Sequence, residues 1–376
     1  MPGNTKTSAL NALAGSALDA ADYFPVLDSS ASELKKLLAS SVALADGGAK
    51  TAAFTAAPGY LYRLDLSTPP TSTFTAATSD VVTFAGLTPI DGMKVRVASS
   101  TTLPAGLSAS TTYFTRDSSG STCKLAATLD GSAIDITSTG TGTHTATFGI
   151  LPTFPSSPSV GDRFGYVLSR SHTIYDALPN RNGSSIMGGT DPQSYLLYIQ
   201  GEAVIWRYDS TSSGAGWFLE VDGRLPGQGV LQRSTGQSIT HATWTRITLD
   251  TSVLSVGNVV DTSNNRINIR RSNKYLVGIS VGAQGDATGS IGVSGATDFF
   301  AFAQVNQSTV GSPNPRALQS VGYAPTNGYG STGLDSLLSV ISGDYIHLGT
   351  YNTSATDFYA GGGSVGSTLT VLEELR

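Results

Sequence analysis

Charged side chains and cysteine are both scarce in this chain of 376 residues. Asp, Glu, Lys and Arg make up 13% of it, about half the share found in ordinary soluble domains. The only cysteine, Cys123, excludes an internal disulfide framework, and burial as a small apolar residue explains it most simply. With a net charge of −5 and no basic stripe, the chain is not expected to bind nucleic acid.

Long hydrophobic runs are also missing. No run reaches the length of about 18 apolar residues that a membrane span requires, so we expect no membrane insertion. Residues 1–24 lack a basic segment followed by a continuous apolar core, and we therefore expect no signal peptide. These features predict a protein that is made in the cytoplasm and reaches the outside without export.

Glycine and alternating β-forming runs are what the chain has in abundance. It contains 43 glycines, and runs such as KVRVAS at 94–99 and AIDITS at 133–138 are bounded by turn residues. The pattern predicts a mainly β protein built from small antiparallel modules. In 239–376 several alternating strands follow at a spacing of roughly 8–12 residues, which is typical of a sandwich or jelly roll.

One stretch near the N-terminus departs from this pattern. Residues 22–40 read DYFPVLDSSASELKKLLAS, in which Ser30 stands three positions before Glu33, the spacing of a capping box. Leu34 and the Leu37-Leu38 pair then form one apolar stripe of helical spacing. We predict one short helix that is marginal alone and packs either on its own domain or on another protein.

This N-terminal segment resembles the attachment segments of phage tail fibres, tailspikes and head-attached fibres. The matching positions are Ser8, Leu10, Leu13, Asp22, Pro25, Val26, Asp28, Lys35, Lys36 and Leu38. The sequence departs from the family at Ser32-Glu33-Leu34, where a Thr usually precedes the lysines. The resemblance implies that residues 1–48 attach to another virion protein, of the tail or the capsid. We expect the docking residues to be Pro25, Val26, Leu34, Lys35, Lys36, Leu37 and Leu38.

The middle of the chain also resembles parts of phage fibre proteins. The segment 71–148 contains LPAGLSASTTYF and DITSTGTGTHT, and it resembles a small β module found in phage tail proteins. In phage fibre proteins, a strand like the one in 51–70 is followed almost directly by a Leu-Pro-x-x-Pro-x-x-Gly-Asp turn. In this chain the residues of that turn come only in 149–224. We therefore predict one β shaft domain from 51–70 plus 149–224, with 71–148 inserted at a hairpin tip, where insertions are tolerated. The Gly- and Gln-rich stretch 225–238 is predicted to be a neck or linker.

The last unit, 239–376, resembles the jelly roll of the complement and tumour-necrosis-factor superfamily. The matching pieces are Trp244, NRINIRRSNKYLVGISV, SGDYIHLGTY and STLTVLEEL. Asn273 and Lys274 replace the glycine that usually precedes the tyrosine. The resemblance implies a knob that forms a homotrimer, a closed symmetric assembly.

Patterns that indicate catalysis are weak. The four histidines lack metal-ligand spacing, and GYGSTG at 328–333 lies in a β-rich region rather than in a strand–helix turn. Carboxylate pairs for glycoside cleavage are Asp130 with Asp135 or Asp357 with Glu373, but any β protein offers such pairs. The turn DTSNNR at 261–266 has oxygen ligands that suit calcium, yet it is more simply a polar turn. We expect no enzyme, no catalytic or metal site and no cofactor.

Recognition residues are expected in the segment 298–333, which mixes aromatic and amide side chains with turn residues. We predict that Phe299, Tyr323, Asn327 and Tyr329 contact a host cell-surface glycan or protein. The alternative is that Phe300 and Phe302 are core residues and that Tyr323 and Tyr329 pack at a subunit interface.

Together these features predict a homotrimeric tail fibre or spike on the surface of the phage particle. Two alternatives remain open: a capsid decoration or head-fibre protein with the same domains and, with less support, a polysaccharide-degrading tailspike.

Overall fold

A computed structural model describes residues 23–28, 33–38, 44–211, 214–284, 297–306, 318–324, 330–353, 357–361 and 366–374. Strands dominate this part of the chain, which contains no α-helix, and Gln193–Tyr195 forms a 3-10 turn. The prediction of a mainly β protein is therefore confirmed. None of the described residues belongs to a helix with the length and hydropathy that crossing a membrane requires.

Two strands at the N-terminus form a separate antiparallel hairpin, β1 (Tyr23–Asp28) and β2 (Glu33–Leu38). The predicted helix is thus wrong for residues 33–38. A helix of so few residues fixes several backbone dihedrals for each hydrogen bond gained. The YFPVLD segment is extended, because the proline after Phe24 biases that residue to β conformation. Pairing with this segment gives the backbone of residues 33–38 hydrogen-bond partners on the neighbouring strand instead.

Three short strands follow, β3 (Ala45–Lys50), β4 (Phe54–Thr55) and β5 (Tyr60–Asp65). β3 runs parallel to β5 and starts with Ala45 opposite Tyr60. The end of the predicted attachment segment 1–48 therefore belongs to a sheet of the next unit.

Residues 71–148 close into a six-stranded barrel, in the order β10-β7-β6-β11-β8-β9. Its strands are β6 (Thr71–Ala76), β7 (Val82–Phe84), β8 (Lys94–Ser99), β9 (Tyr113–Ser119), β10 (Thr122–Ala126) and β11 (His144–Phe148). Alternation along the strands turns Phe74, Val95 and Phe148 into the barrel interior. Cys123 lies there too, and burial raises the pKa of its thiol to about 12.

The second unit is a six-stranded sheet of order β14-β16-β15-β13-β5-β3, to which β4 and β12 add a short parallel pair. Its later strands are β12 (Pro152–Thr153), β13 (Arg163–Arg170), β14 (Ser185–Ile186), β15 (Ala203–Thr211) and β16 (Gly214–Gly223). Its core is aromatic, with Phe154 against Phe164, Trp206 and Trp217. β5 pairs with β13 across the barrel segment, as an insertion of 71–148 requires, although the domain division itself stays a prediction.

The C-terminal unit is a sandwich of two sheets. Its strands are β17 (Gln228–Gln232), β18 (Gln237–Ile239), β19 (Trp244–Arg246), β20 (Thr251–Val256), β21 (Val260–Asp261), β22 (Arg266–Asn268), β23 (Asn273–Gln284), β24 (Thr297–Val305), β25 (Leu318–Ala324), β26 (Gly330–Val340), β27 (Tyr345–Asn352), β28 (Phe358–Ala360) and β29 (Thr368–Glu374). The first sheet has the order β18-β28-β23-β29-β17-β20, with β26 on β23. The second has the order β21-β22-β27-β24-β25, with β19 on β27. Residues such as Val277, Leu348 and Leu369 fill the core.

The predicted neck at 225–238 needs correction, because β17 lies inside the first sheet between β29 and β20. Gly229 and Leu231 are buried and alternate with half-buried Gln228, Val230 and Gln232. This period of two is a strand pattern, which the Gly and Gln composition concealed.

Candidate functional surfaces

The seven predicted docking residues all lie on the N-terminal hairpin. In its register Pro25 is opposite Lys36 and Val26 is opposite Lys35, while Leu34, Leu37 and Leu38 pair with residues of β1. The hairpin forms a sheet of its own. Leu34, Leu37 and Leu38, which a helix would have presented as one stripe, thus all lie on β2, and the adjacent β1 carries Pro25 and Val26.

The predicted receptor contacts do not form one described cluster. Phe299 is fully buried and its ring packs against Phe358 with centroids 5.2 Å apart, so its assignment to a receptor surface is wrong. The physical reason is that β24 lies between β25 and β27, so its inward side chains belong to the core. Tyr323 lies opposite Asp298 in the register of β24 and β25, whereas Asn327 and Tyr329 lie outside the described residues.

The alternative for this segment placed Phe300 and Phe302 in the core. Phe302 is fully buried, and its ring lies edge-on to Trp244 at 5.2 Å. Phe300 lies two residues before Phe302, on the same face of β24, and it is half-buried.

An exposed apolar face covers part of the first sheet of the sandwich. On β23 the side chains of Tyr275, Val277 and Ile279 point into the core, so Leu276 points outward and is 40% exposed. Its direct neighbours on the two flanking strands are Leu337, 54% exposed, and half-buried Leu372. We call the outward-facing residues Leu276, Leu337, Leu372, Val230 and Leu254 the leucine face.

The leucine face continues diagonally to the edge of the sheet. Leu372 lies opposite Gln228 on β17, and Val230, two residues further along β17, lies opposite Leu254 on β20, which is 40% exposed. Contiguous exposed apolar surface of this kind marks interaction sites in soluble proteins. The signal was present in the sequence, because YLVGISV and LDSLLSV carry leucines at positions where a solvated strand face carries polar residues.

A buried group of charges joins the second unit to the sandwich. Arg271, in the sandwich, is fully buried and donates to Glu373 Oε1 at 3.0 Å and to Glu202 Oε1. Glu202 lies in the loop before β15, and Tyr198 of the same unit donates to Glu373 Oε2 at 2.9 Å. Burial opposes the charge of Arg271, but the two carboxylates outweigh it and raise the pKa of the guanidinium above its ordinary value.

The carboxylates considered for catalysis have other partners or lie exposed. Glu373 is held by Arg271, and Asp357 accepts from the backbone N–H of His241 at 2.8 Å. Asp130 and Asp135 are exposed on barrel loops. Within the described ranges, His, Cys, Asp and Glu form no group that could hold a metal ion.

The polar turn at 261–266 is closed by its own side chains. Asp261 Oδ2 accepts from Asn264 Nδ2 at 2.9 Å and from Arg266 Nε at 3.1 Å. The guanidinium occupies the place beside the carboxylate that a calcium ion would take, so the simpler interpretation as a polar turn fits the geometry.

Comparison with known proteins adds little to the fold. No family model and no curated protein matches the chain. Among solved structures it is similar to the globular domain of zebrafish complement 1qA protein, at 7% identity and a TM-score of 0.28, covering 40% of this chain and 98% of that one. It is also similar to murine APRIL at pH 5.0, at 12% identity and a TM-score of 0.29, covering 39% and 99%, respectively. For Eiger TNF from S. frugiperda the identity is 10% and the TM-score 0.29, covering 40% and 93%.

Likenesses at these TM-scores carry no further argument. The strand order of the sheets defines the class: a mainly β protein whose C-terminal unit is a jelly-roll type of sandwich.

Proposed function

We propose that the protein is a structural component of a phage particle, a homotrimeric tail fibre or spike. It attaches through residues 1–48 and presents its C-terminal sandwich to the host cell. The observation that carries the proposal is the N-terminal hairpin, which holds the seven predicted docking residues on one small sheet separate from the sheets of the other units.

The trimer is supported by the leucine face. Leu276 and Leu337 are largely exposed at positions where a sheet face in contact with water normally carries polar residues. They lie directly opposite each other, so that they form one continuous apolar strip. A second and a third copy of the same chain would cover this strip around a three-fold axis, as the resemblance to the jelly-roll superfamily implies. Three copies also multiply a weak affinity for a repetitive cell surface, because the second and third contacts become intramolecular.

The composition supports a role outside the cell. Few charges, many glycines and short strands give a surface made largely of Ser, Thr, Asn and Gly. The buried ion group of Arg271, Glu202 and Glu373 ties the sandwich to the unit before it, which suits a rigid shaft.

Mounting on the tail and mounting on the capsid are separated by locating the protein on the particle. Antibodies against 239–376, labelled with gold, are applied to purified particles and observed by electron microscopy. We expect label on the tail fibres or spikes. Label on the capsid facets would select the decoration or head-fibre alternative, and particles without label would refute the virion assignment.

The tailspike alternative predicts a different result in solution. Incubation of the purified protein with host capsular polysaccharide would shorten the chains only if the protein is a depolymerase. We expect their length to be unchanged.

A further inference from the structure

A cleft opens where the barrel, the second unit and the sandwich meet. Its volume is about 520 Å³, within the range typical of small-ligand sites. Arg96 and Thr112 line it from the barrel, Thr173 from the loop after β13, and Asn268 and Tyr345 from the second sheet of the sandwich. It is therefore a composite site that no unit forms alone.

The seam beside the cleft is closely built. Phe114 of β9 lies against Gly343, in the turn before β27, and a Cβ added at Gly343 would fall 2.5 Å from the ring. Gly343 also has φ of +93°, a conformation that other residues rarely adopt. Close backbone approach at this glycine therefore lets the barrel pack on the sandwich.

The floor of the cleft carries more positive than negative charge. Lys94 of the barrel donates to Asp176 Oδ2 at 2.6 Å, and Arg270 of the sandwich donates to Asp176 Oδ1. The buried carboxylate of Asp176, in the second unit, thus forms ion pairs with two cations, one from the barrel and one from the sandwich. Burial is the main cause of the lowered pKa of Lys94; the Asp176 carboxylate opposes this shift, and the nearby Arg270 adds to it.

Two arginines stand above this floor. Arg96 on β8 donates from Nε to Thr112 Oγ1 at 2.9 Å and forms no ion pair with a carboxylate in the described part of the chain. Arg266 on β22 is held between Asp261, at 3.1 Å, and the ring of Tyr345, whose centre is 4.5 Å from the guanidinium carbon. The charge of Arg266 is thus balanced by Asp261, and its side chain is held in place. The charge of Arg96 is not balanced by a carboxylate in this way and can interact with an anionic ligand.

The other carboxylate of the cleft does not reverse this balance. Asp344 is buried and accepts from the amide of Asn306 and from the backbone N–H of Ile341 at 3.0 Å. With Asp176, Asp261 and Asp344 set against Lys94, Arg96, Arg266 and Arg270, one positive charge remains in excess in a chain whose net charge is −5.

We propose that this cleft binds a saccharide that carries an anionic group, with Arg96 as the residue that contacts the anion. The planar fork of a guanidinium matches a carboxylate or phosphate through two parallel hydrogen bonds. The amides of Asn264 and Asn268 and the hydroxyls of Thr112 and Thr128 suit the hydroxyl groups of a sugar. The inference rests on the proposed function, since it gives the sandwich and barrel a ligand on the host surface.

The position of the cleft is compatible with the proposed trimer. Its sandwich residues lie on β21, β22 and the start of β27 in the second sheet and in the turns next to these strands, whereas the leucine face belongs to the first sheet. Trimer formation through the leucine face therefore uses none of them, and one particle-bound trimer presents three clefts.

The test is isothermal titration calorimetry of the full-length protein with four probes. Trigalacturonate supplies a carboxylated saccharide, mannose 6-phosphate a phosphorylated one, maltotriose a neutral one, and inorganic phosphate the anion alone. We expect at least one of the two anionic saccharides to bind. The probe that binds shows whether the site prefers a carboxylate or a phosphate. Maltotriose and inorganic phosphate are expected to bind at least about tenfold more weakly.

The variant Arg96→Gln is expected to weaken binding of the anionic saccharide by about tenfold to a hundredfold. Arg207→Gln is the matched control, since Arg207 is a half-exposed arginine on β15, and it leaves binding unchanged. If Arg96→Gln fails to fold, Arg96→Lys keeps the charge and loses the planar fork, and it is expected to weaken binding by several-fold.

Three outcomes would overturn the proposal: no binding of either anionic saccharide, equal binding of maltotriose, or unchanged binding by the Arg96 variants. Equal binding of inorganic phosphate would identify an adventitious ion only. These results are independent of gold labelling on the particle. A labelled particle with an empty cleft refutes the saccharide site alone, and a saccharide-binding protein that is absent from particles refutes the virion assignment alone.

Discussion

Leu276 and Leu337 lie directly opposite each other in the antiparallel pair of β23 and β26, and their side chains are 40% and 54% exposed. On the buried face of the same strand, Tyr275 and Val277 are almost completely covered. A strand with apolar residues on both faces is typical of a sheet that is buried on both sides. The pair therefore indicates that another surface covers the first sheet, and in our proposal that surface belongs to copies of the chain.

The substitution Leu337→Asp is predicted to dissociate the trimer. A carboxylate at the centre of an apolar contact loses its hydration without gaining a partner, which costs far more than the contact stabilises. Light scattering coupled to gel filtration should give three times 38.7 kDa for the wild-type protein and 38.7 kDa for the variant.

The matched control is Val221→Asp, because Val221 is 45% exposed on β16 of the second unit and lies outside the leucine face. This variant should remain a trimer. A wild-type monomer, or a Leu337→Asp variant that stays trimeric, would show that the leucine face is not the subunit interface.

Replacement of Arg271 by Met is predicted to destabilise the protein strongly. It leaves Glu202 and Glu373 buried side by side without a cation, a change that typically costs about 3–5 kcal/mol. Urea unfolding followed by the fluorescence of the buried Trp206 and Trp217 measures the loss. Arg63→Met removes an ion pair that is half-exposed on both sides, and this control should change the unfolding midpoint much less. Equal losses in the two variants would contradict the structural role of the buried group.

Acid is predicted to weaken the sandwich through His347. Its ring is buried in the second sheet, with Nε2 3.2 Å from Gln304 Oε1, and burial lowers its pKa to about 3. The unfolded chain binds a proton near pH 6.5 and the folded chain only near pH 3. Stability is therefore complete above pH 6.5 and falls as the pH drops from there, by up to about 1.4 kcal/mol per pH unit.

The measurement is the urea midpoint at a series of pH values between 7 and about 5.5, where Asp and Glu carboxyls with ordinary pKa values of about 3.9 and 4.3 stay almost fully ionised. His347→Gln should flatten the slope in this window, whereas His241→Gln, at an exposed position, should leave it in place. An unchanged slope in His347→Gln would show that another group carries the acid dependence.

The β class and the strand-rich regions 71–148 and 239–376 could be predicted from the sequence, because the alternation of apolar and polar residues is a local signal. The sequence misassigned Glu33–Leu38, since the leucine spacing fits a helix as well as one strand of a hairpin, and only the pairing with Tyr23–Asp28 decides between them. It misassigned Gln228–Gln232 because the glutamines that suggested a linker lie on the outward side of a paired strand.

The functional surfaces were harder to predict than the fold. Arg271 lies 69 residues from Glu202 and 102 residues from Glu373, so the buried ion group exists only after three segments have packed together. Phe299 was chosen as a receptor contact by composition, which cannot tell the inner from the outer side of β24.

In our proposal, the N-terminal segment attaches a trimer to the particle. β3 begins at Ala45, so a variant that lacks residues 1–43 keeps the strands of the second unit while losing the hairpin. The decisive measurement is the amount of this variant in purified phage particles, determined by immunoblotting beside the full-length chain. We predict that the variant remains a trimer in solution and is absent from particles. Incorporation at the level of the full-length chain would contradict the account.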